Sequence, residues 1–133
     1  MESGQHRISI KLMKGSESYL FHLFGVVRDG RVWGTDEPNS ESTDAWYMQS
    51  GGGFTNGGSL FGNGKSNSNG AGEIKEGQII SMVADLDQGT LRFWLNGQPH
   101  GLGWSSGVEG KLRWSVNMWH KDAAAQIVPT LEL

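Results

Sequence analysis

The residues that come closest to a phosphate-binding loop are Ser59-Leu60-Phe61-Gly62-Asn63-Gly64-Lys65-Ser66, which end in the required Gly-Lys-Ser. The leading glycine falls at 58, one position early. Such a loop needs a helix after it, because the helix N-terminus cradles the phosphate. Asn67-Ser68-Asn69-Gly70 comes next instead and will not build one. Asp85 and Asp87, with Gly89 after them, have the look of a calcium loop. The further oxygens and the closing glutamate of that loop are missing, so a strand end and hairpin turn is the better reading. His6, His22, His100 and His120 show no zinc spacing. No Gly-x-Ser-x-Gly elbow supports a serine nucleophile. The chemistry expected is therefore recognition rather than catalysis, with no catalytic residue, no metal and no cofactor.

Trp119 is the strongest recognition candidate. It comes after the alternating run Leu112, Trp114, Val116, Met118 and is out of phase with it, beside the polar turn His120-Lys121-Asp122. A large aromatic at a loop, off the core face, suits a binding anchor; the competing reading is a ring folded over the end of the domain as a lid. Trp33, after Asp29-Gly30-Arg31, has the same status. Trp46, Trp94, Trp104 and Trp114 read as packing residues.

The elements that would hold these anchors are strands. Ile8, Ile10 and Leu12 alternate with polar neighbours, the period of a half-buried strand. Residues 18–27 form a dense apolar run ending at Asp29-Gly30. Ile80, Met82, Ala84 and Leu86 alternate, Asp87-Gln88-Gly89 turns, and Leu91, Phe93 and Leu95 alternate again. Asn96-Gly97 then closes a second hairpin, as the preferred type I′ pair. Residues 111–118 and 123–133 supply two more strands, the last interrupted by Pro129, which suits an edge. Residues 50–72 hold nine glycines and three Asn-Gly pairs, with Phe54, Leu60 and Phe61 as anchors. They read as a packed, turn-rich part of the same domain. Short strands with frequent turns predict an all-β fold, a two-sheet antiparallel sandwich.

Composition narrows the classes. The 133 residues carry a net charge of −3 without a lysine or arginine run, which argues against an electrostatic nucleic-acid binder. Six tryptophans argue against disorder, and the absence of cysteine removes disulfide scaffolds and thiol chemistry. No apolar stretch approaches a membrane helix and no signal core comes after Met1, so a soluble, intracellular and cytoplasmic protein without membrane contact is expected. The length fits one domain over 1–133.

Ser3-Gly4-Gln5-His6, Phe24-Gly25-Val26-Val27 and Ala45-Trp46-Tyr47 resemble successive elements of the SPRY domain family. The most specific match runs from Ala84 through Asp85 and Gly89-Thr90-Leu91 to Phe93 and Asn96-Gly97, the family's central hairpin. Gly101 then matches the glycine that begins the next family strand, and Leu112 to Trp119 resembles a strand and loop. Departures are Arg7-Ile8-Ser9-Ile10 for a Tyr-Trp-Glu-Val strand, Gly77-Gln78 for Gly-Asp, and Trp114 where a proline is usual. The upstream PRY-type segment is not matched.

The resemblance implies a bent sandwich of concanavalin/SPRY type acting as a monomeric protein-interaction module. Such domains present loops at one end to a partner's short loop or peptide, often within ubiquitin-ligase adaptors, so the chain reads as a piece of a larger protein. A peptide-contacting tip in the family corresponds to Met118, Trp119 and His120. Trp33 and Gly34 fall near an aromatic contact of the same surface, and Arg28, Arg31 and Lys121 add positive charge. That charge implies a partner segment that is acidic or rich in Asn and Asp. A carbohydrate-binding jelly roll shares the architecture and is the competing class.

Overall fold

The computed structural model describes residues 1–14, 22–29, 45–49, 59–62, 65–68, 74–118 and 124–132. They form ten strands in two antiparallel sheets, with no helix among the described residues. The strands are β1 (Gln5–Lys14), β2 (His22–Arg28), β3 (Ala45–Gln49), β4 (Ser59–Gly62), β5 (Lys65–Ser68), β6 (Ile79–Asp85), β7 (Thr90–Leu95), β8 (Gln98–Pro99), β9 (Leu112–Met118) and β10 (Ala124–Val128). The first sheet runs β10-β1-β6-β7-β8 and the second β5-β4-β3-β2-β9. Among the described residues, no helix is long and apolar enough to cross a membrane.

The meander expected between 79 and 102 is present as β6, β7 and β8. Asn96 and Gly97 both take positive φ, 49° and 83°, the conformation that a two-residue type I′ loop demands. Asn96 also fixes the start of β6, its Oδ1 accepting the Ile79 amide at 2.8 Å. β10 lies at a sheet edge and stops at Val128, just before Pro129. Gly101 does not open a strand. The chain beyond it makes a single bridge, in which Trp104 and Leu91 exchange amide and carbonyl bonds of 2.7 and 2.9 Å.

Ile10, Leu12, Phe24, Val26, Trp46, Met48, Ile80, Met82, Leu91 and Phe93 fill the space between the sheets. The centre of the second sheet does not alternate, in keeping with the dense apolar run that precedes Asp29. β2 and β3 are buried on both faces, and Leu23, Val27, Ala45 and Tyr47 form a separate apolar cluster on the far face. The far face of the first sheet is also partly closed. Ser9 and Ser81 share a buried hydroxyl hydrogen bond of 2.7 Å, and the Leu131 amide donates to Ser9 Oγ at 3.1 Å.

Of residues 50–72, the structure describes 59–62 and 65–68, which pair as β4 and β5. Gly62 pairs with Lys65 across Asn63-Gly64, so Lys65 and Ser66 belong to a strand, not to a phosphate-cradling helix. Leu60 is a buried anchor, as expected, whereas Phe54 lies outside the described residues.

Candidate functional site

Two ends of the β2–β9 pair carry the candidate residues. At one end Arg28 stands opposite Leu112. Its guanidinium carbon lies 5.7 Å from the Trp46 ring centroid, a cation–π distance, and the side chain is half-buried. The Asp29 amide donates to the Lys111 carbonyl at 2.8 Å, continuing the ladder one residue past the strand. The Lys111 ammonium is 3.7 Å from Asp29 Oδ2, but both side chains are well exposed, and an exposed pair adds little. Met1 is tied to the same end: its nitrogen donates to the Leu112 carbonyl at 2.9 Å and its carbonyl accepts the Leu112 amide at 2.6 Å.

At the other end Met118 stands opposite His22. Leu112 and Met118 are six residues apart on one strand, so the two ends are separated by roughly 20 Å. The structure therefore does not bring Arg28 and Met118 together. Arg31, Trp33, Gly34, Trp119, His120 and Lys121 lie outside the described residues, and so does the side chain of Met118. Of the expected contact residues, only Arg28 is placed with its side chain, and that side chain lies over the Trp46 ring.

The acidic pair resolves as turn chemistry. Asp85 Oδ1 accepts the amides of Asp87 and Gln88, each at 3.1 Å. Asp87 Oδ1 accepts the Gly4 amide at 3.1 Å, pinning the entry to β1 against the β6–β7 turn. These are Asx contacts that shape the hairpin. His6 Nε2 lies 2.6 Å from the Ser3 carbonyl, while His22 and His100 are buried. Among the described residues no group of three metal-ligating side chains forms.

Two features escape the sequence reading. The first is a cross-sheet tie. Trp104 is buried and its Nε1 donates to the Tyr47 carbonyl at 3.2 Å, joining the bridge beside β7 to β3 of the other sheet. No local pattern marks it, because its partner is 57 residues away. The second is an apolar groove of about 190 Å³ between β9 and β10, lined by Ile8, Ile10, Trp114, Ser115, Val116, Ala125 and Ile127. Trp114, expected in the core, does face the core side, but it is half-buried as a groove wall. A sequence signal for the groove exists in the alternation of Ala125, Ile127 and Pro129 on an edge, though nothing local says that the inner face stays open.

By sequence, no family model and no curated protein matches the chain. By structure, it is similar to the SPRY domain of human HERC1, with a TM-score of 0.75, 19% identity, and coverage of 96% of this chain and 76% of that one. It is also similar to the PSpry domain of TRIM65, with a TM-score of 0.66 and 14% identity, covering 97% of this chain and 66% of the TRIM65 chain, just under two thirds of its length. Identities this low speak to the course of the backbone alone. The chain has a SPRY-like β-sandwich fold.

Proposed function

We propose that the protein is a non-catalytic interaction module that binds a short loop or peptide of a protein partner. The observation that carries this reading is the SPRY-like fold itself, which covers nearly the whole chain. The chemistry of the described residues agrees: Asp85 and Asp87 are engaged in turns, and Lys65-Ser66 lies in a strand.

The contact residues proposed are Met118, Trp119, His120 and Lys121 at and beyond the end of β9, with Arg28, Arg31, Trp33 and Gly34 at and beyond the end of β2. Because the two strand ends lie roughly 20 Å apart, these two sets make one footprint only if the chain after Arg28 doubles back along the sheet. Trp33 is five residues past Arg28 and reaches at most about 17 Å from it, so the Met118–Lys121 side is the proposed centre of the site. The partner segment is acidic or amide-rich, matching Arg28, Arg31 and Lys121. Placement in an intracellular, ubiquitin-ligase-type assembly belongs to the same proposal.

The test is affinity capture with the wild-type domain and Trp119→Ala, followed by calorimetry on the captured partner. Trp119→Ala is expected to keep the wild-type melting temperature and to lose at least about 2 kcal/mol of affinity, as a hot-spot truncation does. Unchanged binding by a folded Trp119→Ala domain overturns the site.

A further inference from the structure

The groove between β9 and β10 has a shape that fits one kind of occupant. Ile127 pairs with Ile10, so the two side chains share the inner face of the first sheet. Ile10 is 3% exposed and Ile127 is 71% exposed. The difference arises because β10 extends the first sheet beyond the second, which ends at β9. Among the described residues, the inner face of β10 thus has no strand over it, and the groove opens there beside β9.

Among the described residues, backbone groups along the edge of β9 that borders this groove have no partner. Asp29 and Lys111 form a hydrogen-bonded pair. Antiparallel pairs alternate between bonded and non-bonded. Arg113, Ser115 and Asn117 therefore bond to β2, and the amides and carbonyls of Leu112, Trp114, Val116 and Met118 point the other way. Leu112 confirms the phase, since both its backbone groups are taken by Met1. The edge thus already accepts one extended residue in antiparallel register. Among the described residues, nothing pairs with the edge at Trp114, Val116 and Met118.

We infer that this slot is a second interaction surface, one that takes an extended peptide strand of a partner protein alongside β9. The partner strand has apolar residues at alternate positions. Those facing Trp114 and Val116 drop into the groove over Ile8, Ala125 and Ile127, and its main chain bonds to the open edge of β9. Affinity comes from the backbone rungs and specificity from the alternate side chains, the mode of strand addition. The inference rests on the edge of β9 and on the groove, not on the loop residues beyond Met118, although Met118 borders both surfaces.

The test uses a capped heptapeptide, Val-Glu-Val-Thr-Val-Glu-Val, titrated into the isotope-labelled 133-residue chain and followed by amide shifts and amide exchange. Protection of the Trp114 and Val116 amides is expected, with saturable binding. Ile127→Asp alters an exposed side chain and should leave the melt unchanged while weakening the peptide at least about tenfold, the equivalent of one buried aliphatic side chain. Val116→Pro removes an outward-pointing amide without touching the β2 bonds, and should weaken it likewise. A scrambled peptide that clusters its valines should bind more weakly. No protection of Trp114 and Val116, or equal binding by folded Ile127→Asp and Val116→Pro, overturns the inference. A wild-type dimer in sedimentation that Ile127→Asp dissolves also overturns it, because the occupant is then a second copy.

Discussion

Gly25→Ala tests the packing of the second sheet at its most crowded point. Gly25 sits on β2, between β3 and β9, and pairs with Tyr47 on one side and Ser115 on the other. A Cβ built there overlaps the Trp46 carbonyl oxygen and comes within 2.9 Å of both the Trp46 carbonyl carbon and the Tyr47 Cα. All three are backbone atoms of a neighbouring strand, so no side-chain rotation relieves the clash. Strand β3 must move away by more than about 1 Å to restore ordinary contact. Overpacking of this kind costs about 1–3 kcal/mol. Stretching the two flanking ladder bonds adds about 1 kcal/mol each. Reduced freedom of the unfolded chain returns about 0.4–1 kcal/mol. The net loss is about 3 kcal/mol, a large part of the roughly 5–15 kcal/mol typical of a domain.

Gly97→Ala is the control. Gly97 has a φ of 83° but nothing within 4 Å of its would-be Cβ. Only the left-handed backbone strain applies there, about 1–2 kcal/mol. Urea unfolding followed by tryptophan fluorescence should rank wild type above Gly97→Ala above Gly25→Ala, with the Gly25→Ala melt lowered by about 10 °C. A Gly25→Ala midpoint within about 0.5 kcal/mol of wild type, or a larger loss for Gly97→Ala, would falsify the close approach as the reason for glycine at 25.

The contrast between these two glycines marks how much of the fold is legible in the sequence. Gly97 announces itself locally, because Asn-Gly between two alternating runs can do little except turn. The same is true of β6, β7 and β1, whose apolar period is written in consecutive residues. Gly25 carries no such signal beyond the family resemblance, since the obstacle to a side chain is a carbonyl that lies 21 residues further along the chain. Ala45 to Gln49 is too short to show a period, and burial on both faces erases the alternation that would identify it. Trp114 shows a subtler limit. Its phase reads correctly as inward, but phase does not say how far the opposing sheet extends, and here the sheets end out of step. The recognition site is the least legible part. Tryptophan beside turn residues names candidates, whereas whether Arg28 and Met118 are neighbours depends on strand direction, and β2 and β9 place them at opposite ends.

Two further outcomes are expected. Thermal melts with calcium, magnesium or ATP should coincide with the melt in buffer, because a ligand at a hundredfold excess over its Kd adds about 2.7 kcal/mol; a reproducible upward shift with any of them would reopen the catalytic reading. The two tryptophans of the second sheet should respond unequally to truncation. Trp46 is 1% exposed, sits among Val26, Met48 and the other core residues, and carries Arg28 over its ring. Trp46→Ala should therefore leave an enclosed void and cost about 3–5 kcal/mol. Trp114 has the groove on one side, so its removal widens an opening that water already reaches instead of creating a cavity. The loss is then the transfer of a half-buried ring, about 1–2 kcal/mol. Chemical denaturation of both variants reads the difference directly. If Trp114→Ala costs as much as Trp46→Ala, then Trp114 is a core residue and the groove beside it is closed in solution. The strand-addition surface would then lose its wall, while the loop site beyond Met118 would be unaffected.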